Sequence, residues 1–158
     1  MAESDRHQPI VAVCGSGRYD AALDMLAEAV GRSIAASGAV LICGGLGGVM
    51  AAACRGAHAA GGVTIGVLPG GNKREANPHV LIPIATGMGQ ARNVIIVQTA
   101  DVVIAVGGEY GTLSEIALAR KLGRPVIGLQ TWALGDEHII VANSPEEAVA
   151  LALQQLPH

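Results

Sequence analysis

The sequence predicts an α/β fold, a three-layer α/β/α sandwich with a mostly parallel sheet, in a single domain over residues 1–158. Five short apolar runs alternate with longer amphipathic segments, which is the order of strands and helices in such a sandwich. The runs show little polar alternation, as expected of parallel strands that are covered on both faces. Right-handed crossovers then place helices on both sides of the sheet.

The predicted strands are the five apolar runs. They are IVAVCG from Ile10, AVLICGG from Ala39, VTIGVLPG from Val63, DVVIAVGG from Asp101 and PVIGL from Pro125. Residues 1–9 are polar, and we expect them to form a flexible N-terminal tail. The connection over residues 69–89 is long for a βα loop, and Lys73, Arg74 and Glu75 within it are either a solvated tip, which we favour, or a lid.

The predicted helices cover residues 20–38, 48–62, 89–100, 111–123 and 144–156. In the first, Leu23 and Leu26 begin a row of apolar residues at helical spacing. The last has the clearest start, because Ser144 is a suitable N-cap, Pro145 suits the first helical position and Glu147 completes a capping box.

Composition argues against several classes of protein. Hydrophobic residues make up 51% of the chain, yet no run reaches the ~18 apolar residues of a membrane span. Residues 1–9 are too polar for a secretion signal, so we expect a cytoplasmic protein. A net charge of −3 and an aromatic content of 2% argue against nucleic-acid binding. Cys14 and Cys43 end apolar strands, where cysteine is usually a small buried apolar side chain. The three cysteines lack CxxC spacing, which argues against a metal site or a disulfide.

Three of the predicted strands end in glycine turns that lead into helices. These turns are Gly15-Ser16-Gly17, Gly44-Gly45-Leu46-Gly47-Gly48 and Gly107-Gly108-Glu109-Tyr110-Gly111. Each turn frees backbone N–H groups, and each helix N-terminus adds about half a positive charge. Because the carboxyl ends of parallel strands open on one crevice, the turns together predict an anion-binding cleft rather than simple connections. None of them is a Walker A loop, since no Gly-Lys-Ser/Thr follows.

Glu109 stands among the glycines of the third turn, where a carboxylate would repel an anionic ligand. If that position required a positive φ, glutamate would cost about 1–2 kcal/mol relative to glycine. The carboxylate would leave the site open if it turned to solvent or paired with Arg18, which follows the first turn. The backbone amides of the third turn would then remain available to a ligand.

Arg92, Thr112 and Glu115 are further candidate functional residues, and each has a structural alternative. Arg92 follows a flexible glycine-containing stretch, and we favour a role as oxyanion ligand over a surface or subunit salt bridge; Arg18 is a similar case. Thr112 and Glu115 have the spacing of a capping box at the start of the fourth helix. The Glu115 carboxylate would otherwise lie in the cleft opposite Arg92, as a ribose ligand or an acid–base group. The sequence leaves these two alternatives open.

Several longer motifs occur between about Ile10 and Leu153, and they are CGGLGGVMAAACRGA, GVLPG, ANPHV, GMGQARN and AVGGEYGTLSEIALARKLGRPVIGL. Together they resemble the Rossmann-like family that is often mislabelled as lysine decarboxylases. That family includes the Lonely Guy phosphoribohydrolases, which activate cytokinins, and the molybdenum cofactor carrier proteins. GMGQARN and GTLSEIALA are most similar to the carrier branch, and Met88 of the first is counted among the candidate ligand-binding residues.

The resemblance aligns Arg92 with an arginine of the hydrolases and Glu115 with the glutamate of their PGGxGTxxE motif. Two residues depart from the pattern, because Asn93 replaces the lysine after the arginine and Glu109 replaces the second glycine of the motif. These departures favour a binding or carrier protein for an anionic, phosphate-bearing ligand, with the molybdenum cofactor as cargo. The alternative is a phosphoribohydrolase that cleaves the N-glycosidic bond of nucleoside 5′-monophosphates, with Arg92 and Glu115 as catalytic residues. A nucleotide-sensing module is a third hypothesis.

No tightly bound cofactor is expected. Pyridoxal phosphate requires a lysine Schiff base, and the only lysines, Lys73 and Lys121, lie in a loop and near a helix end. Residues 91–100 and 48–60 are too apolar for the surface of a monomer, so we predict a homo-oligomer, either a dimer or a tetramer. The expected partners are a small anionic ligand, of molybdopterin or nucleoside monophosphate type, and further copies of the chain. Neither nucleic acid nor a membrane is expected.

Overall fold

The computed structural model describes residues 7–135 and 137–157, and these residues form one sheet of seven parallel strands with helices on both faces. The predicted three-layer α/β/α fold is therefore confirmed. The strands are β1 (Ile10–Gly15), β2 (Val40–Cys43), β3 (Thr64–Leu68), β4 (Ile82–Ala85), β5 (Val102–Val106), β6 (Val126–Leu129) and β7 (Ile140–Val141).

Five α-helices cover the sheet in the described residues. They are α1 (Ala21–Ala36), α2 (Val49–Ala59), α3 (Asn93–Thr99), α4 (Tyr110–Lys121) and α5 (Pro145–Gln154). Ser144 caps α5 as predicted, because its hydroxyl accepts a hydrogen bond from the Glu147 amide at 3.1 Å. The Glu147 carboxylate accepts from the Asn143 amide at 3.3 Å, one residue before the position that a capping box uses.

The strand order is β4-β3-β2-β1-β5-β6-β7, and it fixes where a ligand can bind. The chain passes from β1 to β2 on one side and returns to β5 on the other, so that the order reverses between β1 and β5. Gly15 at the end of β1 lies opposite Val106 at the end of β5. In open parallel sheets the crevice beyond such a reversal is the usual ligand site.

Two strands and two helix starts differ from the sequence-based prediction. The connection over residues 69–89 contains β4, and β7 follows the loop after β6. Both are edge strands and short, and Pro83 in β4 weakens its strand signal. The predicted helix over residues 89–100 begins as a 3-10 turn, Gly89–Arg92, and becomes α-helical at Asn93. The fourth helix starts at Tyr110, one residue earlier than predicted.

The core has one layer on each face of the sheet. α1, α2 and α5 pack on one face, and α3 and α4 pack on the other. The small residues of α2 are buried against α1, since a Cβ at Gly56 would collide with the backbone carbonyl of Glu28. The predicted burial of the cysteines is confirmed, with Cys43 and Cys54 as free thiols whose sulfur atoms are 3.5 Å apart.

The predicted tail, residues 1–9, lies largely outside the described residues, since the description begins at residue 7. Within it the Pro9 carbonyl accepts a hydrogen bond from the Val40 amide at 2.8 Å. Lys73, Arg74 and Glu75 form an exposed 3-10 turn. In the two described ranges, every helix is too short or too polar to cross a bilayer.

Candidate functional site

A cleft of about 280 Å³ opens at the carboxyl ends of β1 and β2, beside the reversal of strand order. Its walls are the first two glycine turns, the start of α4 and the 3-10 turn that leads into α3. The residues that line it are Gly15, Ser16, Gly17, Arg18, Gly44, Leu46, Met50, Gln90, Arg92, Asn93, Glu109, Gly111, Thr112 and Glu115. The three predicted turns therefore meet at one crevice.

Most of the predicted ligand-binding residues line this cleft. Those that do not are Gly45, Gly47, Gly48, Met88, Gly107, Gly108 and Tyr110. Gly48 and Gly108 line two neighbouring cavities instead, and Met88 lies exposed beyond the cleft. Lys73, Arg74 and Glu75 are not among the lining residues, so the favoured solvated tip agrees with the structure better than the lid.

Sequence reasoning gave no site role to Met50, Gln90 and Asn93. Gln90 lies in the GMGQARN motif, and its polar side chain beside Arg92 was a signal that could have been followed. In the sequence, Asn93 is distinguished only by its departure from the hydrolase pattern. Met50 has no distinguishing signal, because an apolar residue in the first turn of a helix usually belongs to the core.

Arg92 is buried, with 5% of its surface exposed, at the base of the cleft. Its Nε donates to the Val67 carbonyl at 2.9 Å, which ties the start of α3 to the backbone of β3. Its Nη1 donates to Gln90 Oε1 at 3.0 Å and to Asn93 Oδ1 at 2.6 Å. Nη2 lies beside Gly44, where a Cβ would approach it to 2.8 Å, and it has no hydrogen-bond acceptor in the described ranges. The guanidinium is thus rigidly held and keeps one nitrogen for a ligand.

The amide groups of Gln90 and Asn93 are oriented by Arg92. Because a guanidinium has only donors, each amide must turn its oxygen toward Arg92. Both NH2 groups are left without a protein acceptor in the described part of the chain, and both residues line the cleft. The base of the cleft therefore offers two amide NH2 groups as hydrogen-bond donors next to a fixed positive charge.

The N-terminus of α4 adds backbone donors to the same cleft. The first intrahelical bond at this end runs from the Leu113 amide to the Glu109 carbonyl at 3.0 Å, so the amides of Tyr110, Gly111 and Thr112 have no intrahelical acceptor. The cap residue, Glu109, makes no side-chain bond to them. This uncapped end is suited to an anion. The N-terminus of α1 is unlike it, because the Asp20 carboxylate caps it.

The capping-box alternative for Thr112 and Glu115 is wrong. The N-cap is Glu109, so Thr112 is the third helical residue and is buried, and Glu115 lies a further turn along α4. Both side chains line the cleft.

Glu109 occupies its place in the third glycine turn without backbone strain. The positive φ values belong to Gly107 (57°) and Gly108 (115°), whereas Glu109 has an extended backbone with φ −111°. Its carboxylate makes no hydrogen bond to the α4 amides, accepts a hydrogen bond from Ser16 Oγ at 3.3 Å and lies 3.6 Å from Arg18 Nε. Of the two arrangements expected, turning to solvent and pairing with Arg18, the structure shows the pairing, with 56% of the Glu109 side chain still exposed.

The surroundings of the Glu115 carboxyl group disfavour its ionised form. Burial raises its pKa from an ordinary value of 4.5 to about 7, and the nearby Arg92 charge opposes that rise. Burial likewise lowers the pKa of Arg92, and Glu115 opposes that change. Near neutral pH the Glu115 carboxyl group is therefore divided between its protonated and ionised forms. It can serve as a hydrogen-bond donor, an acceptor or an acid–base group.

The sequence model of the SLOG cluster4 family matches residues 8–157. A protein of Archaeoglobus fulgidus, described as uncharacterized, is 48% identical over 139 residues, which are 88% of this chain and 91% of that protein. The molybdenum cofactor binding protein of Rippkaea orientalis has the same fold, with a TM-score of 0.89 and 40% identity over 94% of this chain and 98% of that one. The Moco carrier protein of Chlamydomonas reinhardtii also has this fold, with a TM-score of 0.86 and 38% identity over 94% of this chain and 98% of that one.

The raised pKa of Glu115 predicts a pH-dependent effect of Glu115→Gln on stability. A raised folded-state pKa contributes stability that is fully present below the ordinary value of 4.5 and is lost as pH rises through about 7. Relative to the parent, Glu115→Gln should therefore gain roughly 2 kcal/mol in free energy of unfolding between about pH 5 and about pH 9. Urea titrations at both pH values measure this. Glu146→Gln, at an exposed glutamate of α5, should show no such gain; an equal change in both variants would refute the assignment.

The position of Glu109 predicts that its charge weakens anion binding. Glu109→Gln removes the negative charge beside Arg18 and leaves the α4 amides intact. Inorganic phosphate should then bind about three- to tenfold more tightly at low ionic strength, and the gain should shrink as salt is added. Isothermal titration calorimetry measures the affinity. The control is again Glu146→Gln, which makes the same change of net charge away from the cleft, and equal affinities in the two variants would contradict the expectation.

Proposed function

The chain belongs to the SLOG cluster4 family, and from that premise we propose that it is a cytoplasmic binding protein whose cargo is the molybdenum cofactor. The observation that carries this proposal is the likeness to the Rippkaea orientalis molybdenum cofactor binding protein, which extends over nearly the whole of both chains at 40% identity. The carrier protein of Chlamydomonas reinhardtii supports it at 38% identity. The cargo is an anion with a phosphate group, and the cleft offers backbone and side-chain donors beside its two carboxyl groups.

The geometry of the cleft supports a role for each group of donors. The backbone amides of Gly111 and Thr112, at the uncapped end of α4, suit the phosphate. Nη2 of Arg92 and the amide nitrogens of Gln90 and Asn93 suit further oxygen atoms of the ligand at the base. None of these groups has to perform chemistry, since binding alone is required of a carrier.

Asn93 favours the carrier over the hydrolase. The resemblance places a lysine at this position in the phosphoribohydrolases. Here the asparagine instead accepts a hydrogen bond from Arg92 at 2.6 Å and adds no charge to the site. The cleft thus carries one cation fewer to stabilise the negative charge that develops on the departing base when an N-glycosidic bond breaks.

Glu115 favours the alternative function, hydrolysis of the N-glycosidic bond of a nucleoside 5′-monophosphate. Its pKa of about 7 suits a group that must exchange a proton at neutral pH, and it lines the same cleft as Arg92. In that reaction Arg92 would orient the phosphate or the ribose. Glu115 would stabilise the oxocarbenium-like sugar or activate the attacking water.

Cofactor retention tests the carrier proposal. The parent protein, mixed anaerobically with molybdenum cofactor released from a molybdenum enzyme, should retain molybdenum and pterin in equal amounts through gel filtration. Arg92→Lys keeps the charge but loses the forked hydrogen bonds, and it should lower retention about tenfold or more. Arg120→Lys, at an exposed arginine of α4, should retain cofactor like the parent. Thermal melting of each variant establishes that the fold is intact.

Base release from AMP, measured by chromatography on the same preparations, decides between the two functions. A carrier should release no adenine above the uncatalysed rate. Release of adenine by the parent but not by Glu115→Gln would overturn the carrier proposal and establish the phosphoribohydrolase. Absence of both release and retention would exclude both functions.

We also propose that the chain assembles into a dimer or a tetramer, through a surface that overlaps only at Val94 with the one predicted by sequence. Most apolar residues of α2 are buried within the chain, and Ile96 and Val97 of α3 belong to the core. Exposed apolar residues occur in β4, in the residues on either side of it and at the start of α3, and we define Leu81, Ile82, Ile84, Met88 and Val94 as the edge patch. The patch includes the edge strand β4, whose outer side has unpaired backbone groups. Exposed apolar edge strands are normally covered, and a second copy would cover this one.

Light scattering at micromolar concentration tests the assembly. The parent should give two or four times the chain mass of 15.9 kDa. Ile84→Lys places a charge in the edge patch and should shift the mass toward that of one chain. Val141→Lys makes the same kind of change on the opposite edge strand, β7, and should leave the assembly intact. A parent protein that is monomeric would refute the proposal.

A further inference from the structure

The chain has three aromatic residues of the Trp, Tyr and Phe types, and two of them form a pair at the third glycine turn. The rings of Tyr110 and Trp132 have centroids 5.9 Å apart and planes inclined by 33°. Tyr110 is 81% exposed, although burying an aromatic ring is usually favourable. The fully buried side chains of the core are aliphatic or cysteine, so neither ring is part of its interior.

The pair is fixed to the turn that supplies the cleft with donors. Trp132 Nε1 donates to the Glu109 carbonyl at 3.2 Å, and Thr131 Oγ1 donates to the Gly107 carbonyl at 2.5 Å. The loop after β6 is therefore anchored at two points of the third glycine turn. Trp132 also packs partly against the core beneath α3 and α4. The indole is a rigid support for the exposed ring of Tyr110.

Tyr110 links the aromatic pair directly to the anion-binding end of α4. It is the first residue of that helix, and its neighbours Glu109 and Gly111 both line the cleft. If the anionic group of a ligand binds the α4 amides, the residue that carries the tyrosine ring is adjacent in sequence to the residues that bind that group. The exposed ring face is apolar and electron-rich, which suits a planar heterocycle.

We propose that Tyr110, supported by Trp132, is a stacking platform for a planar heteroaromatic ring on the ligand whose phosphate occupies the cleft. This inference rests on the proposed function and deepens it, because it assigns the ring and the phosphate of the ligand to different parts of the site. It restricts the ligand to phosphate-bearing heterocycles and makes Tyr110 a specificity-determining residue. A sugar phosphate without a ring system would use the cleft alone.

The test compares GMP with ribose 5-phosphate. GMP has a phosphate and a planar base with the same 2-amino-4-oxopyrimidine edge as a pterin, whereas ribose 5-phosphate lacks the base. The parent should bind GMP about tenfold more tightly than ribose 5-phosphate. Of the two ligands, only GMP should quench the fluorescence of Trp132, which is the only tryptophan of the chain.

Tyr110→Ala should remove the preference for GMP and leave the affinity for ribose 5-phosphate unchanged, while Tyr110→Phe should retain the preference. Equal binding of both ligands by the parent, or an equal loss of both in Tyr110→Ala, would overturn the platform and leave the phosphate site standing. Failure of the parent to bind either ligand would overturn the phosphate site and the platform together.

Discussion

Arg92 places a permanent positive charge beneath the carboxyl ends of the strands, and a charge buried at that depth must be matched by hydrogen bonds. Three groups accept hydrogen bonds from the guanidinium: the Val67 carbonyl of β3 and the side-chain oxygens of Gln90 and Asn93. These bonds fix where α3 begins and which way two amide groups point. Gly44 is required for the same reason, because a larger residue would displace the guanidinium. The arrangement of the cleft follows from one buried cation.

Glu115 and Arg92 share this environment, and their charges are interdependent. Burial acts against the ionised form of each group, and each charge favours the other. An oxyanion bound beside Arg92 would use the same positive charge that now stabilises the ionised Glu115. Binding and protonation are therefore coupled: the anion favours the neutral carboxyl group, and the neutral group removes a repulsion.

The fold and most of the cleft could be predicted from the sequence because their signals are local. Apolar strands and glycine turns can be predicted from short stretches of sequence. The turns lie at one crevice because the strands that precede them are parallel. Other features depend on tertiary contacts. The role of Gln90 exists only because Arg92 orients its amide. The backbone of Glu109 is unstrained because the positive φ values of this turn belong to Gly107 and Gly108. The edge strand that contains Pro83 forms by pairing with β3 rather than by a strong pattern of its own.

The contact between Glu109, Ser16 and Arg18 has a consequence for selectivity in a phosphate-rich solution. A tethered carboxylate beside Arg18 would compete with a ligand for that guanidinium. Under the proposed function, a ligand with a single anionic group would gain little from displacing it. A ligand that also engaged the base and the rim of the cleft would overcome the competitor with its additional contacts. The carboxylate would thus discriminate by the number of simultaneous contacts, so that a small abundant ion would bind less tightly than a larger ligand.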